Sequence, residues 1–308
     1  MSRLQEIVRR FPVRKNADQK SEFLKYALAA GRQMGYSVKV EEDGRHRNFV
    51  AGDPDAAAVL FTAHYDTPAN MVLPNLILPR NLPLFYGYQL LVVALLFLIS
   101  AGAAFAAYLL GAGGPLLWVV FLVVYYALLL LMMMGPANQH NVNDNTSGVA
   151  AVLALMEALP EEARGCAAFL LFDDEEKGRQ GSKAFAVRHP EIKKRTLVIN
   201  MDCVGVGDHL LLIAKNYARV SPLYPLLQES FSADGDYTPH FYGTSGSVYN
   251  SDQQSFRCGV GAVMCKRRRF VGFYTPWIHT RRDTEASEEN ISYLVQSLSK
   301  FVKSVTEI

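Results

Sequence analysis

The sequence predicts an α/β protein, a three-layer α/β/α sandwich around a mixed, mostly parallel central sheet, interrupted by an inserted transmembrane helical hairpin. Three observations lead there. Short apolar runs alternate with segments of helical periodicity. Polar residues able to carry chemistry follow the ends of several of those runs. Residues 81–143 contain no Asp, Glu, Lys or Arg.

The elements follow in order. Residues 17–34 place Phe23, Leu24, Tyr26, Ala27 and Ala30 at helical spacing, and Gly35 stops them. Residues 38–42 and 48–51 read as strands joined at Asp43-Gly44. Residues 57–63 form a buried strand that runs into His64-Tyr65-Asp66. Beyond the uncharged window, a helix is expected over 149–159 and a strand over 166–171. A helix over 182–188 and strands over 196–201 and 209–214 come next. A helix over 221–231, a Gly/Ser-rich loop over 243–251 and a strand over 259–265 follow. A loop over 274–280 leads to a closing amphipathic helix over 287–305, with Ile291, Leu294, Leu298 and Phe301 on one face.

Within the uncharged window lie two apolar runs, 90–110 and 116–134, joined by Gly111-Ala112-Gly113-Gly114-Pro115. Each has the roughly 20 residues a helix needs to cross about 30 Å of hydrocarbon. Tyr86, Tyr88 and Trp118 sit near the expected ends, where amphipathic aromatics favour the interface. Residues 81–134 are therefore read as the hairpin, and 1–80 with 135–308 as one discontinuous domain. The N-terminal twenty residues carry six cations but no long apolar run, so they do not read as a secretory signal. Two spans return the chain to the side it left. The four cysteines form no CxxC pair and read as reduced packing residues. The link between the runs carries no positive charge, as suits an exported side. The expectation is an integral membrane protein with that domain in the cytoplasm and the lipid bilayer as partner. A net charge of +2 gives no argument for a nucleic-acid partner.

The chemistry is in where the polar residues fall. Phe172-Asp173-Asp174-Glu175-Glu176-Lys177-Gly178 follows the strand over 166–171. Alone it would read as a solvated acidic turn, because crowded carboxylates repel unless a cation sits among them. His64, Asp66, Glu175, Glu176 and Asp202 all lie just beyond predicted strand ends, the edge where open α/β sheets bind ligands. Asp144 opens the next helix, and His279 lies in a late loop able to reach the same edge. Imidazoles and carboxylates converging in this way suit divalent metals such as zinc.

The motifs have a recognisable order: His64-x-Asp66, Asp144-Asn145-x-Ser147-Gly148, Glu175-Glu176-x-Gly178-x-x-Gly181-Ser182, Asp202, and His279-Thr280-x-x-Asp283-Thr284. Together they resemble the co-catalytic zinc metallopeptidases, which include bacterial leucyl aminopeptidases, glutamate carboxypeptidase and glutaminyl cyclases. The resemblance implies two Zn2+ ions, with Co2+ or Mn2+ as substitutes. His64 and Asp202 would bind one metal, Glu176 and His279 the other, and Asp144 would bridge them. Glu175 would be the general base, and Asp66 would accept the second ring N–H of His64. Such a pair can polarise a peptide carbonyl and hold a hydroxide between the metals. The implied function is a membrane-tethered exopeptidase, an aminopeptidase acting on peptide substrates; the resemblance leaves homo-oligomerisation open. The alternatives are a glutaminyl cyclase-like acyltransferase with one zinc, and a non-catalytic membrane scaffold on a peptidase fold.

Two features depart from the family pattern. The His64–Asp144 interval is much longer than in soluble members, with the hairpin filling the excess, so the site is expected close to the membrane. No tyrosine falls in a clear oxyanion-stabilising position; Tyr249 is the candidate. Ser251-Asp252 with Phe256 resembles the segment that lines the family's substrate pocket. Lys266-Arg267-Arg268-Arg269 and Arg281-Arg282 read as a solvated basic face, with anionic lipid and a substrate carboxylate as further readings.

Overall fold

A computed structural model describes residues 1–233, 235 and 237–308. In chain order its helices and strands are α1 (Arg3–Arg10), α2 (Ala17–Gln33), β1 (Val38–Asp43), β2 (His46–Ala51) and β3 (Val59–His64). There follow α3 (Leu82–Leu109), α4 (Gly114–Met134), α5 (Gly148–Ala158), β4 (Ala167–Phe172), α6 (Gln180–Arg188) and α7 (Pro190–Arg195). Then come β5 (Leu197–Met201), β6 (His209–Ala214), α8 (Asn216–Arg219), α9 (Leu223–Ser230) and β7 (Thr238–Gly243). The chain closes with β8 (Gly259–Arg268), β9 (Gly272–Tyr274) and α10 (Glu288–Thr306).

The strands form one mixed sheet in the order β1-β2-β4-β3-β5-β8-β6-β7, with β9 paired to β8. Its centre, β4-β3-β5-β8, is parallel. The pairs β1–β2, β2–β4, β6–β8 and β8–β9 are antiparallel. Side chains alternate across each strand. Phe61 and Ala63, Phe169 and Leu171, and Ile199 and Met201 face one layer, built with α1, α2, α5, α9 and α10. Leu60, Leu170, Phe172 and Val198 face the other, against Phe185 of α6 and Ile192 of α7. Burial on both faces explains why these strands read as continuous apolar runs.

Register places the catalytic edge. His64 pairs with Phe172, and Thr62 pairs with Asn200, so β3, β4 and β5 end side by side. Their outgoing residues, His64, Asp173 and Asp202, therefore start from one rim.

The helices α3 and α4 pack on each other, and beyond the start of α3 and the end of α4, which border the rest of the fold, they are uncovered. In α3 only Leu96 and Ser100 are buried, and α4 buries none of its residues. Both are long and apolar enough to cross a membrane. The helix α3 begins at Leu82, eight residues before the apolar run. Asn81 caps it by accepting the Leu84 N–H at 3.2 Å, and Pro83 suits its first turn. Gly87 and Gln89 dilute the hydropathy there but do not break the helix.

Five elements lack a clear sequence signal, the short helices α7 and α8 among them. The helix α1 has only Leu4 and Ile7 buried, with three arginines at its two ends. The edge strand β7 contains Pro239, tolerated because the strand lies at the sheet edge. The strand β9 has only three residues.

Candidate metal centre

Five side chains converge above the rim of β3, β4 and β5. His64 ends β3 and is 1% exposed. Its Nε2 lies 3.3 Å from Asp144 Oδ1 and 3.7 Å from Asp202 Oδ1. His279 Nε2 lies 3.1 Å from Asp144 Oδ2 and 3.3 Å from Glu176 Oε2. The two oxygens of Asp144 thus face different histidines. Ligand-type atoms of His64, Asp144 and Asp202 lie within 4.8 Å of one another, and so do those of Asp144, Glu176 and His279. Glu175 joins His64 and Glu176 in a third such group.

The backbone explains this placement. Asp144 lies on extended backbone, with φ −114 and ψ 94, in an irregular stretch before α5. It is not the helix opener expected from the sequence, because α5 starts only at Gly148. A Cβ on Gly148 would sit 2.2 Å from the Met201 carbonyl, so the close approach of this segment to β5 requires glycine. Asn145 donates to the Met201 carbonyl at 3.0 Å, a further tie to β5. Asp283 accepts the N–H groups of Asn143 and Asp144 at 2.8 and 3.0 Å. Asp283 is a positioning residue whose motif was visible, Thr280-x-x-Asp283, but whose contact was not. His279 adopts φ +62 in the left-handed region, which turns its ring back toward Asp144.

Asp66 is the pivot of the rim. Its Oδ1 lies 3.4 Å from His64 Nδ1 and accepts the Glu175 N–H at 2.9 Å; its Oδ2 accepts the Glu176 N–H at 3.2 Å. One carboxylate therefore holds the loop carrying both glutamates and sits beside the histidine ring. That loop stays close to β2 because Gly181 allows it: a Cβ there would meet the Asp173 carbonyl at 2.3 Å and Asn48 Oδ1 at 2.5 Å.

Asp173 and Asp174 are not part of a solvated acidic turn. They are 1% and 2% exposed, and Lys20 of α2 pairs with them at 2.5 and 2.6 Å. Asp174 also meets Lys177 at 2.7 Å and His46 at 3.0 Å. The cation expected among crowded carboxylates is, for this pair, a lysine more than 150 positions away in the chain.

The electrostatics fit a divalent pair. Burial, with Asp144 next, pushes the Glu176 carboxyl well above its usual range. Burial, together with Asp252 and Asp202, does the same for Glu175. Burial works against ionisation of Asp144, yet hydrogen bonds from His279 and His64 hold it well below the ordinary carboxylate value. Burial would lower His64, but Asp144, Asp202 and Asp66 together raise it well above 6.5. Glu176 Oε1 and Asp202 Oδ1 are buried with no hydrogen-bond partner among the described residues. Imidazole nitrogens and carboxylate oxygens at this spacing form a zinc-type donor set, and cations there would offset the crowding.

The predicted substrate residues fare differently. Tyr249 borders a cavity of about 270 Å³ that reaches Asp144, Glu175, Glu176 and Asp202. Its hydroxyl donates to the Asp202 carbonyl at 2.9 Å rather than pointing free into that cavity. Asp252 is fully buried, and burial pushes its carboxyl up to about 7. Phe256 is a core residue, stacked on Phe172 at 6.0 Å between ring centroids. Neither Asp252 nor Phe256 lines the cavity.

A sequence model of the family described as Peptidase family M28 matches residues 132–296. This chain belongs to peptidase family M28. The matched segment begins at the end of α4 and carries every candidate ligand except His64. Peptidases of this family are zinc-dependent, in agreement with the donor set. Among solved structures, the M28 fold here is similar to the LapA aminopeptidase of Legionella pneumophila. That match has a TM-score of 0.60 and 12% identity over 99% of this chain and 70% of the other. The glutaminyl cyclase of Porphyromonas gingivalis matches with a TM-score of 0.58 and 14% identity, over 98% and 96% of the two chains. A leucine aminopeptidase precursor from Bacteroides thetaiotaomicron VPI-5482 matches with a TM-score of 0.57 and 12% identity, over 97% and 94%. A search of curated protein sequences gave no significant match.

Proposed function

We propose that this M28 metallopeptidase is a membrane-tethered aminopeptidase, releasing N-terminal residues from peptides at a site that holds two zinc ions. The observation that carries the reading is Asp144, whose two oxygens face His64 and His279 separately. His64 with Asp202 would hold one ion, and Glu176 with His279 the other. When bound, such a pair polarises the scissile carbonyl and makes water a competent nucleophile near neutral pH. The chain supplies the rest. Glu175 borders the cavity and is placed to take a proton from the attacking water and return it to the leaving amine. Asp66 holds the Glu175–Glu176 backbone beside the His64 ring, so base and ligands share one frame. The uncovered faces of α3 and α4 support a two-span membrane anchor, and the uncharged link between them suits an exported turn with the catalytic domain on the cytoplasmic side.

A peptide library with free and blocked N-termini tests this. Residues should be released from free N-termini only, and Glu175→Gln should lower kcat by about 10²–10⁴-fold while zinc content stays at the wild-type level. Cyclisation of N-terminal glutamine without peptide-bond cleavage would replace the reading with the cyclase one. Wild-type activity in the Glu175→Gln variant would remove Glu175 from the chemistry.

A further inference from the structure

The two apolar helices differ in length. The helix α3 has 28 residues and α4 has 21, so α3 is longer by about 10 Å at 1.5 Å per residue. A helix of 21 residues already covers about 30 Å of hydrocarbon. The additional length lies at the start of α3, the end next to the metal centre.

That start has two distinct faces. Phe85, Tyr88, Gln89 and Val92, at helical spacing, are half-buried. Leu84, Tyr86 and Leu90, on other faces, are 40%, 55% and 70% exposed. Phe85 and Gln89 border the cavity that contains Glu175 and Glu176. A second cavity, of about 230 Å³, has Tyr88, Gln89 and Val92 with Met132 and Met133 of α4 on one side, and Glu176 and His279 on the other. The two cavities share Gln89 and meet at the Glu176–His279 pair. Tyr88 is anchored by donating to the Pro74 carbonyl at 2.7 Å. The Gln89 side chain makes no hydrogen bond among the described residues. A polar side chain in an apolar span is costly and is typically turned toward a functional cavity.

We propose that the start of α3 and the end of α4 form the side-chain subsite of the peptidase, selecting peptides whose N-terminal residue is large and apolar. This rests on the exopeptidase reading above. Apart from Asn75, Gln89 and Asn250, the wall facing the charged rim is aromatic, aliphatic and thioether, and methionines adapt to varied apolar shapes. A volume below the roughly 300–1,000 Å³ of drug-sized sites suits one or two side chains. The Gln89 amide offers both N–H donors and a carbonyl acceptor to the peptide backbone beside that side chain. The inserted hairpin is then part of the specificity apparatus as well as an anchor.

The test uses the full-length protein in lipid nanodiscs. Leucine, phenylalanine, alanine and lysine aminoacyl reporters give kcat/KM for the wild type, Phe85→Ala, Met133→Ala, Gln89→Leu and the outward-facing control Leu90→Ala. Phe85→Ala and Met133→Ala should each reduce the leucine-to-alanine ratio on the order of tenfold, with zinc content unchanged. Gln89→Leu should lower kcat/KM for all reporters, and Leu90→Ala should match the wild type. A second readout does not depend on turnover. With p-benzoylphenylalanine in place of Phe85 or Leu90, a biotinylated Leu-Phe-initiated decapeptide is irradiated with each protein. Capture at position 85, absent at 90 and competed by unlabelled Leu-initiated but not Lys-initiated peptide, supports the subsite. Such capture without any hydrolysis would leave the subsite standing and overturn the exopeptidase reading. Hydrolysis with unchanged ratios, and equal capture at both positions, would overturn the subsite.

Discussion

Lys20→Met tests how the acidic loop is held. Methionine keeps the length of the buried stem and removes the charge. Lys20 is 5% exposed, and its ammonium pairs with Asp173 and Asp174 at 2.5 and 2.6 Å. Removing one member of a buried ion pair costs about 3–5 kcal/mol. Asp174 would retain Lys177 and His46, so the loss falls mainly on Asp173. Asp173 would retain the Arg47 N–H at 3.0 Å, which favours the lower end, about 3 kcal/mol. At about 2–4 °C per kcal/mol, Tm should fall by roughly 6–12 °C at pH 8. The pH dependence has a definite sign. Burial, partly offset by Lys20, holds the Asp173 carboxyl above 3.8 in the folded protein. A carboxyl raised on folding stabilises below its unfolded pKa, and that contribution is lost as pH rises through the folded value. Removing Lys20 raises the folded value further, so the gap between variant and wild type should narrow as pH falls from 8 toward 4. Thermal unfolding in detergent at fixed scan rate measures both. A shift under about 2 °C at pH 8, far below the cost of an orphaned buried carboxylate, or a gap that widens on acidification, would refute the reasoning.

Other variants address the rim and the spans. Asp66→Asn puts an amide N–H against a position that accepts from Glu175 or Glu176, and should weaken zinc binding by about 10–100-fold in a chelator competition; unchanged affinity would remove Asp66 as the pivot. Tyr249→Phe should lose the bond to the Asp202 carbonyl, about 1 kcal/mol of stability, and change kcat by less than about threefold. A loss of 10²–10³-fold, the usual effect of deleting an oxyanion donor, would assign that role to the phenol. The full-length protein should remain in the membrane pellet after an alkaline carbonate wash, and release into the supernatant would count against spanning α3 and α4.

The candidate ligands were legible because parallel strands all discharge at one rim. Once β3, β4 and β5 are read as adjacent, His64, Glu176 and Asp202 come together whatever the loops do. The family motifs then add Asp144 and His279, which no strand pattern would place. The start of α3 was illegible for a different reason. Gly87 and Gln89 lower the local hydropathy, and it is the Asn81 cap and Pro83 that set the boundary. Lys20 carries no sequence signal for its role, since its partners lie on a distant strand end and only packing of α2 brings them together. Phe256 and Asp252 show the opposite failure. A local Ser-Asp-x-x-x-Phe pattern was read as pocket lining, but whether a side chain faces a cavity or a core depends on the layer below, and Phe172 and Phe185 claim Phe256 for the core. The commitment of the Tyr249 hydroxyl to a backbone carbonyl was equally hidden until β5 and β8 were placed.

The central claim is a pair of metal sites that share Asp144 and together perform the hydrolysis. Its most direct test is a titration of the metal-stripped full-length protein with zinc, following bound metal per chain and hydrolysis of a leucine reporter at each addition. The account predicts no hydrolysis without metal, two ions bound per chain, and recovery of activity complete only at the second equivalent. Asp144→Asn should impair the binding of both ions. Hydrolysis that survives complete stripping, or full activity with one ion bound per chain, would contradict it.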